Sequence, residues 1–386
     1  MKKFLSILLV LCMPLCVLSS CLKKSNTEKD DSTQAESTSN VQETTDTEPV
    51  SEEGEADAPL KLEYTEYDIV SSKDKIHVQG RSMDTSAGVT ADWSASGIEF
   101  NTTYTGSISV TGKANKDIRF RVYVDGKETG IITYGTSLAT KKLPGTETDE
   151  PTTANIRLVR VEYVKDGLAT LKTVKLTGEI HEWQEERKFI EFIGDSITCG
   201  YGSITNDDKK DGSRTYAYVA ACELEVDYSM VAISGIGVNK STDQHSGKTI
   251  GDFYRYNTWY RSQVVQYQPE RKADLVVVNL NTNDNGHGAT EAEYKEDLKA
   301  LLADIRSIHG ENVSIVWVVG QMTKVDTAVN GWLEDVFEEL GGETAGLYIM
   351  ETTKNNSGGN NHPSYTSHKK TAGHLVTFIK DKKLLG

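Results

Sequence analysis

The residues best suited to chemistry are Gly194-Asp195-Ser196-Ile197, which directly follow the short apolar run Phe189-Ile190-Glu191-Phe192-Ile193. A nucleophilic serine needs its hydroxyl exposed at the carboxyl end of a buried strand. It also needs a small neighbour for the sharp turn, and a following helical turn whose N–H groups can meet a developing oxyanion. Gly-Asp-Ser alone is a weak signal, because many turns, and a serine that merely caps a helix, read the same way. Here it stands at a strand-to-helix junction and continues as Thr198-Cys199-Gly200-Tyr201-Gly202, which is far more specific. Asp195 is read as holding the turn.

The elements that must position this serine alternate. After the first strand, Tyr216 to Leu224 reads as a helix, and Tyr228 to Ile233 as a strand. Leu275 to Leu280 is a nearly continuous apolar strand, buried on both faces. Ala292 to Ile308 has helical periodicity, with Leu298, Leu301, Leu302 and Ile305 on one stripe. Val313 to Val319 is a strand, Leu333 to Leu340 a helix, Gly346 to Met350 a strand, and Ser364 to Leu385 largely helical. Alternating strand and helix predicts an α/β sandwich with a parallel sheet over 187–386.

Residues 59–183 carry a different rhythm. Ile76-His77-Val78, Ile98-Glu99-Phe100, Ser107 to Val110 and Ile118 to Val124 alternate apolar and polar side chains with period two. Asp125-Gly126 marks a hairpin, and Arg157 to Val164 and Leu171 to Leu176 add strands. This predicts an all-β sandwich or jelly roll.

The chain has 386 residues and a net charge of −15, which argues against nucleic acid as a partner. Residues 22–58 hold eleven acidic side chains against three lysines, a net −8, and almost no large apolar group. Such a segment cannot offset its ordering entropy by burial and reads as a disordered tether spanning roughly 35 Å. Residues 1–21 read as an address. Lys2 and Lys3 precede a mostly apolar run, Phe4 to Leu18, too short for a membrane span. Leu18-Ser19-Ser20-Cys21 is similar to the bacterial lipoprotein box, which implies a signal peptide, lipid on Cys21, and a chain held at the bacterial cell surface. Cys199 and Cys222 are expected to be two separate buried thiols. No Cys/His spacing suits a metal, and no cofactor is expected.

The C-terminal half resembles the SGNH hydrolase superfamily. Its Ser block is Gly194-Asp195-Ser196-Ile197-Thr198, its Gly block Ser234-Gly235-Ile236-Gly237, its Asn block Thr282-Asn283-Asp284 and its His block His362-Pro363-Ser364, in the family's order. From near Leu60 to the end, about 325 residues, the chain looks like carbohydrate esterase family 2, which joins an N-terminal jelly roll to an SGNH domain. Gly80-Arg81 and Trp93 to Phe100 carry the looser jelly-roll match. The resemblance implies a carboxylic ester hydrolase that removes acetyl groups from polysaccharide, as acetyl xylan esterases do. Ser196 would be the nucleophile and His362 the general base. The Ser196 N–H, the Gly235 N–H and the Asn283 amide would form the oxyanion hole. An acetylated polysaccharide or oligosaccharide would be the substrate.

Two positions depart from the pattern. Gly359 stands where the superfamily usually has the Asp that orients the histidine, so a backbone carbonyl is expected to hold the ring. Asn281 replaces a glycine of the Asn block, and its side chain is expected to narrow the pocket. These departures motivate one alternative, a glycan-binding protein with a decayed esterase domain; a second, a lipase- or thioesterase-like hydrolase of the same superfamily, is one the jelly roll argues against. Tyr254, Tyr256, Trp259 and Tyr260 cluster after the Gly block as a candidate sugar platform. Trp93 and Trp183 are read as packing residues, and His368 and His374 as structural or exposed.

Overall fold

The period-two segment folds as expected, into antiparallel strands. The computed structural model describes residues 63–204, 210–259 and 265–386. The expected leader, Cys21 and the acidic tether lie outside the described residues, as does Tyr260. Among the described residues the first ten strands are β1 (Thr65–Asp68), β2 (His77–Gln79), β3 (Met83–Thr85), β4 (Gly88–Ala91), β5 (Gly97–Ala114), β6 (Ile118–Val124), β7 (Lys127–Tyr134), β8 (Ala139–Lys142), β9 (Thr148–Arg160) and β10 (Ala169–Ile180). Asp125 and Gly126 both have positive φ, 48° and 72°, and join β6 to β7 with Val124 opposite Lys127, the turn geometry that matches strand twist. The two runs read separately as Ile98–Phe100 and Ser107–Val110 belong to one 18-residue strand, β5. Gly106 (φ 82°) and a register shift after Tyr104 bend this strand rather than end it. β2 and β9 pair with its first part, β8 with Ser109 to Gly112, and β10 with Thr102 to Ala114, so this strand links most of the sheet. Ile98, Phe100, Ile108, Val110 and Val122 fill the core.

From residue 189 onward strands alternate with helices: β11 (Phe189–Gly194), α1 (Tyr216–Glu223), β12 (Asp227–Ala232), α2 (Gly251–Tyr254), β13 (Leu275–Asn279), α3 (Thr282–Gly286), α4 (Glu291–His309), β14 (Ser314–Val319), α5 (Ala328–Glu339), β15 (Leu347–Glu351) and α6 (Tyr365–Asp381). The five strands are parallel in the order β12-β11-β13-β14-β15. The order reverses beside β11, and ligands of such sheets bind at the carboxyl ends of the strands there. β13 is buried throughout, as its continuous apolar run requires. The apolar stripe of α4 (Tyr294, Leu298, Leu301, Leu302, Ile305) faces the sheet core. Thr215, Thr327 and Ser364 cap α1, α5 and α6.

The antiparallel and parallel parts share a core. Trp93 and Tyr163, from the first part, pack among Ile193, Val231 and Ile236 of the second. Trp93 is fully buried and its Nε1 donates to the Asn257 carbonyl at 2.8 Å. Trp183 stacks on His77 at 4.9 Å. Both known cysteines of the described chain are free. Cys199 is buried, but Cys222 is exposed, contrary to expectation, because it lies in the last turn of α1 beside exposed Glu223.

One ion pair crosses this junction with no exposure at either end. Arg81 donates from Nε to Glu191 Oε1 at 3.0 Å and from Nη2 to Glu191 Oε2 at 2.9 Å. Nη1 donates to the carbonyls of Tyr254 and Tyr256. Glu191 Oε2 also accepts from the Tyr254 hydroxyl and from His309 Nε2, both at 2.8 Å. His309 Nδ1 accepts the Ala273 N–H, so Nε2 carries the proton. Burial pushes the Glu191 carboxyl up, but the Arg81 charge and the His309 bond outweigh it and hold it well below the usual range. A depressed carboxylate pKa contributes stability at neutral pH that is lost as pH falls below its ordinary value of 4.5. Removing one member of a buried pair typically costs about 3–5 kcal/mol. Arg81→Ala is expected to lower the unfolding free energy by about that amount in urea titration; a change within about 0.5 kcal/mol, the range of ordinary surface substitutions, would contradict the assignment.

Candidate active site

Three of the four blocks leave the carboxyl ends of adjacent parallel strands. Ser196 follows β11, Gly235 follows β12, and Asn283 lies in α3, just after β13. The fourth block stands between β15 and α6, where Ser364 accepts the Ser367 N–H and so fixes the helix start two residues after His362. The sequence spacing of more than 160 residues between Ser196 and His362 closes to a hydrogen bond: Ser196 Oγ is 2.8 Å from His362 Nε2.

The imidazole is held from behind by the backbone. Gly359 to Asn361 form a tight turn in which Asn360 (φ 50°) and Asn361 (φ 57°) are left-handed, a conformation asparagine accepts more readily than most residues. The turn aims the Asn360 carbonyl at His362 Nδ1, 2.9 Å away. With Nδ1–H donating to that carbonyl, Nε2 presents its lone pair to the Ser196 hydroxyl. Burial lowers the His362 pKa from its ordinary 6.5, the Asn360 bond working in the opposite direction. Tyr201 steadies the other flank, its ring edge-on to His362 at 4.7 Å, its hydroxyl accepting from Asn360 Nδ2 at 2.7 Å. Gly202 has φ 68°, and a Cβ there would sit 2.2 Å from the Gly359 carbonyl and 2.8 Å from His362 Cβ. The Gly200-Tyr201-Gly202 sequence is what lets the histidine turn approach the serine turn.

Opposite the histidine lie the donors. Among the described residues the N–H groups of Ser196 and Gly235 have no hydrogen-bond acceptor. Gly235 has φ 83°, and a Cβ would meet Thr242 Oγ1 at 2.5 Å and Gln244 Nε2 at 2.4 Å, so glycine is required twice over. Asn283 Nδ2 donates to the Ile236 carbonyl at 2.7 Å, which leaves its second proton beside Asp195 Oδ2 at 3.5 Å. Asp195 is fully buried and its Oδ1 accepts the Ile197 N–H at 2.9 Å. Burial, with a further contribution from the Asp284 charge, pushes its carboxyl up to about 7. Asp284 accepts three consecutive N–H groups, those of Val238, Asn239 and Lys240, and so pins the loop that follows Gly235.

The departures and side readings sort out as follows. Asn281 (φ 84°) takes the left-handed turn, but its side chain does not narrow the pocket. It is buried, donating to Asn330 Oδ1 at 2.9 Å and accepting from the Tyr294 hydroxyl at 2.6 Å. Tyr254 cannot be a sugar platform, because it is fully buried with its ring 4.7 Å from the Arg81 guanidinium. Tyr256 and Trp259 are half-buried; Trp259 packs on Phe253 at 5.9 Å. His368 is buried, its Nδ1 accepting the Tyr216 N–H, and burial lowers it to about 3; His374 is exposed. Sequence reading did not single out Tyr201 or Asn360 as neighbours of the histidine. The glycines around Tyr201 and the doubled asparagine before His362 were the available signals. Among the described residues no cluster of three or more His, Cys, Asp and Glu is placed to hold a metal ion.

Residues 192–370 match the GDSL-like Lipase/Acylhydrolase family. The chain is similar to the cellulase/esterase CelE of Acetivibrio thermocellus, 28% identical over 316 residues, which covers 75% of this chain and 37% of that protein. It is also similar to an acetylxylan esterase/glucomannan deacetylase of Cellvibrio japonicus, 24% identical over 221 residues, 52% of this chain and 61% of the relative. The chain thus spans less than two thirds of the length of either curated relative. A solved structure, a family two carbohydrate esterase from Clostridium thermocellum in complex with cellohexaose, superposes with a TM-score of 0.72 at 25% identity, covering 80% of this chain and 99% of that one. Residues 192–370 therefore match the GDSL-like model and take the SGNH fold, and with its antiparallel β-rich N-terminal part the described chain has an architecture similar to that of the family two carbohydrate esterases.

Proposed function

We propose that this chain is a serine esterase that removes O-acetyl groups from a carbohydrate. The observation that carries the reading is the 2.8 Å contact between Ser196 Oγ and an imidazole whose far nitrogen is fixed by a carbonyl. The names of the relatives, an acetylxylan esterase/glucomannan deacetylase and a cellulase/esterase, supply the substrate class.

In the first half-reaction, His362 Nε2 takes the Ser196 proton as Oγ attacks the acetyl carbonyl carbon. The carbonyl oxygen becomes an oxyanion that takes up the Ser196 and Gly235 N–H groups, with the Asn283 amide joining them by turning away from its contacts with Ile236 and Asp195. Collapse expels the sugar alkoxide, which leaves with the proton from His362, and Ser196 retains the acetyl group. Water then attacks the acetyl-enzyme, with His362 again the base, and acetate departs. The Asn360 carbonyl fulfils the orienting role of the missing carboxylate, since it fixes the tautomer even though it adds no charge.

The N-terminal segment supports a second part of the reading, that the chain is exported and tethered to the cell envelope through lipid on Cys21, with an acidic linker holding the folded part clear of the surface. The support is the Leu18-Ser19-Ser20-Cys21 sequence after a basic start and an apolar run. Cys21→Ala is expected to move the protein from the membrane fraction to the soluble fraction; retention in the membrane would refute the anchor.

The chemistry is tested by acetate release from acetylated xylan, acetylated glucomannan and an aryl acetate. Ser196→Ala is expected to abolish release from all three, and full retention would overturn the reading. The pH profile adds a sign. His362 must be neutral to accept the proton, and its pKa lies below 6.5. The kcat/KM for aryl acetate should therefore fall only as pH drops below 6.5, and should do so equally in Asp195→Asn. A limb above that value, or one that vanishes with Asp195, would contradict the assignment of His362 as base.

A further inference from the structure

The rim of the Ser196–His362 centre holds two lysines that none of the foregoing uses. Lys210 forms an isolated bridge with Tyr201. Its ammonium lies 4.9 Å from the Tyr201 ring and 4.2 Å from the Tyr163 ring, and the Tyr201 ring is the one that meets His362 edge-on. Lys165 comes from the β9–β10 connection of the antiparallel part, two residues after Tyr163. Its Nζ is 3.4 Å from His245 Nδ1. His245 Nε2 donates to the Ser234 carbonyl at 2.9 Å, immediately before Gly235. Lys165 Nζ also lies 5.7 Å from the Trp259 ring. One lysine is thus a single ring away from the histidine and the other a single ring away from the Gly235 turn.

Both are half-buried, and among the described residues neither has a carboxylate within ion-pair distance, while Arg214, four residues after Lys210, does. Burial, and after it the charge of Lys210, lowers the Lys165 ammonium from its ordinary value. The two cations therefore sense each other. Two mutually repelling, partly desolvated ammonium groups with no carboxylate partner among the described residues attract an anion. Violations of local electrostatic economy of this kind concentrate at functional sites.

The geometry points to an anion subsite: Lys165 and Lys210 select acetylated glycans that carry an acidic group, a uronate carboxylate or a sulfate ester, close to the acetyl-bearing sugar. The acetyl part of this statement rests on the esterase reading; the charge recognition does not.

Binding isolates the inference from turnover. Calorimetry on the full chain carrying Ser196→Ala would compare xylotetraose, a xylooligosaccharide of the same length bearing one glucuronic acid, and a sulfated one. At least one acidic ligand is expected to bind at least about tenfold tighter than the neutral one at low ionic strength, with the advantage shrinking as salt is raised. It should disappear when Lys165→Gln and Lys210→Gln are added, with thermal unfolding used to confirm that the variant is folded. Equal affinity for acidic and neutral ligands, or an acidic preference that survives both substitutions, overturns the subsite. Charge-dependent binding in a chain that releases no acetate from any ester would sink the esterase reading and leave the subsite standing.

Discussion

A glutamate in the middle of β11, the first strand of the buried parallel sheet, has to be answered before anything else in this molecule can be built. Glu191 pairs on both sides, with β12 and with β13, and has no access to water. A carboxylate in that position is tolerable only if every lone pair is met and the charge is neutralised. The neutralising group comes from outside the α/β fold altogether, from Arg81 of the antiparallel part. Because β11 runs directly into Ser196, the strand that delivers the serine is locked to the domain that precedes it. Arg81 also grips the Tyr254 and Tyr256 carbonyls and lies 3.8 Å from the Tyr267 ring. One guanidinium therefore ties together the β-rich part, the nucleophile strand and the segment after the Gly block.

The reacting centre is a consequence of strand order. With β12 and β13 on either side of β11, the three turns at their carboxyl ends lie side by side and carry Ser196, Gly235 and Asn283. What closes the site is a contact between two backbones, the Gly202 carbonyl accepting the Gly359 N–H at 2.9 Å. This contact places the histidine turn without a carboxylate. The same economy governs the Gly235 loop, which Asp284 fixes through three N–H groups and so holds the proposed oxyanion donor in place.

The sequence made the parallel sheet legible because β13 is a continuous apolar run and α4 carries a clean stripe. It made the serine legible because small residues crowd the turn. It misjudged what depends on distant partners. Tyr254 looked like one member of a candidate sugar platform, since nothing local reveals that a buried Arg81 and Glu191 claim its ring and hydroxyl. Asn281 looked like an obstruction, since its partners Asn330 and Tyr294 lie on other helices. β5 read as two strands because a bulge at Gly106 and a turn at that glycine give the same local signal. The carbonyl that holds His362 carries no side-chain signature at all; only the two left-handed asparagines before it mark the turn.

The central claim is that Ser196 is acylated by an acetyl ester through His362. Rapid acid quenching during aryl acetate turnover, followed by peptide mass spectrometry, tests it most directly. The account predicts one added acetyl group on the peptide containing Ser196, absent in Ser196→Ala and in His362→Ala. Turnover with no covalent acetyl at Ser196, or with the label on another residue such as Cys199, would contradict it.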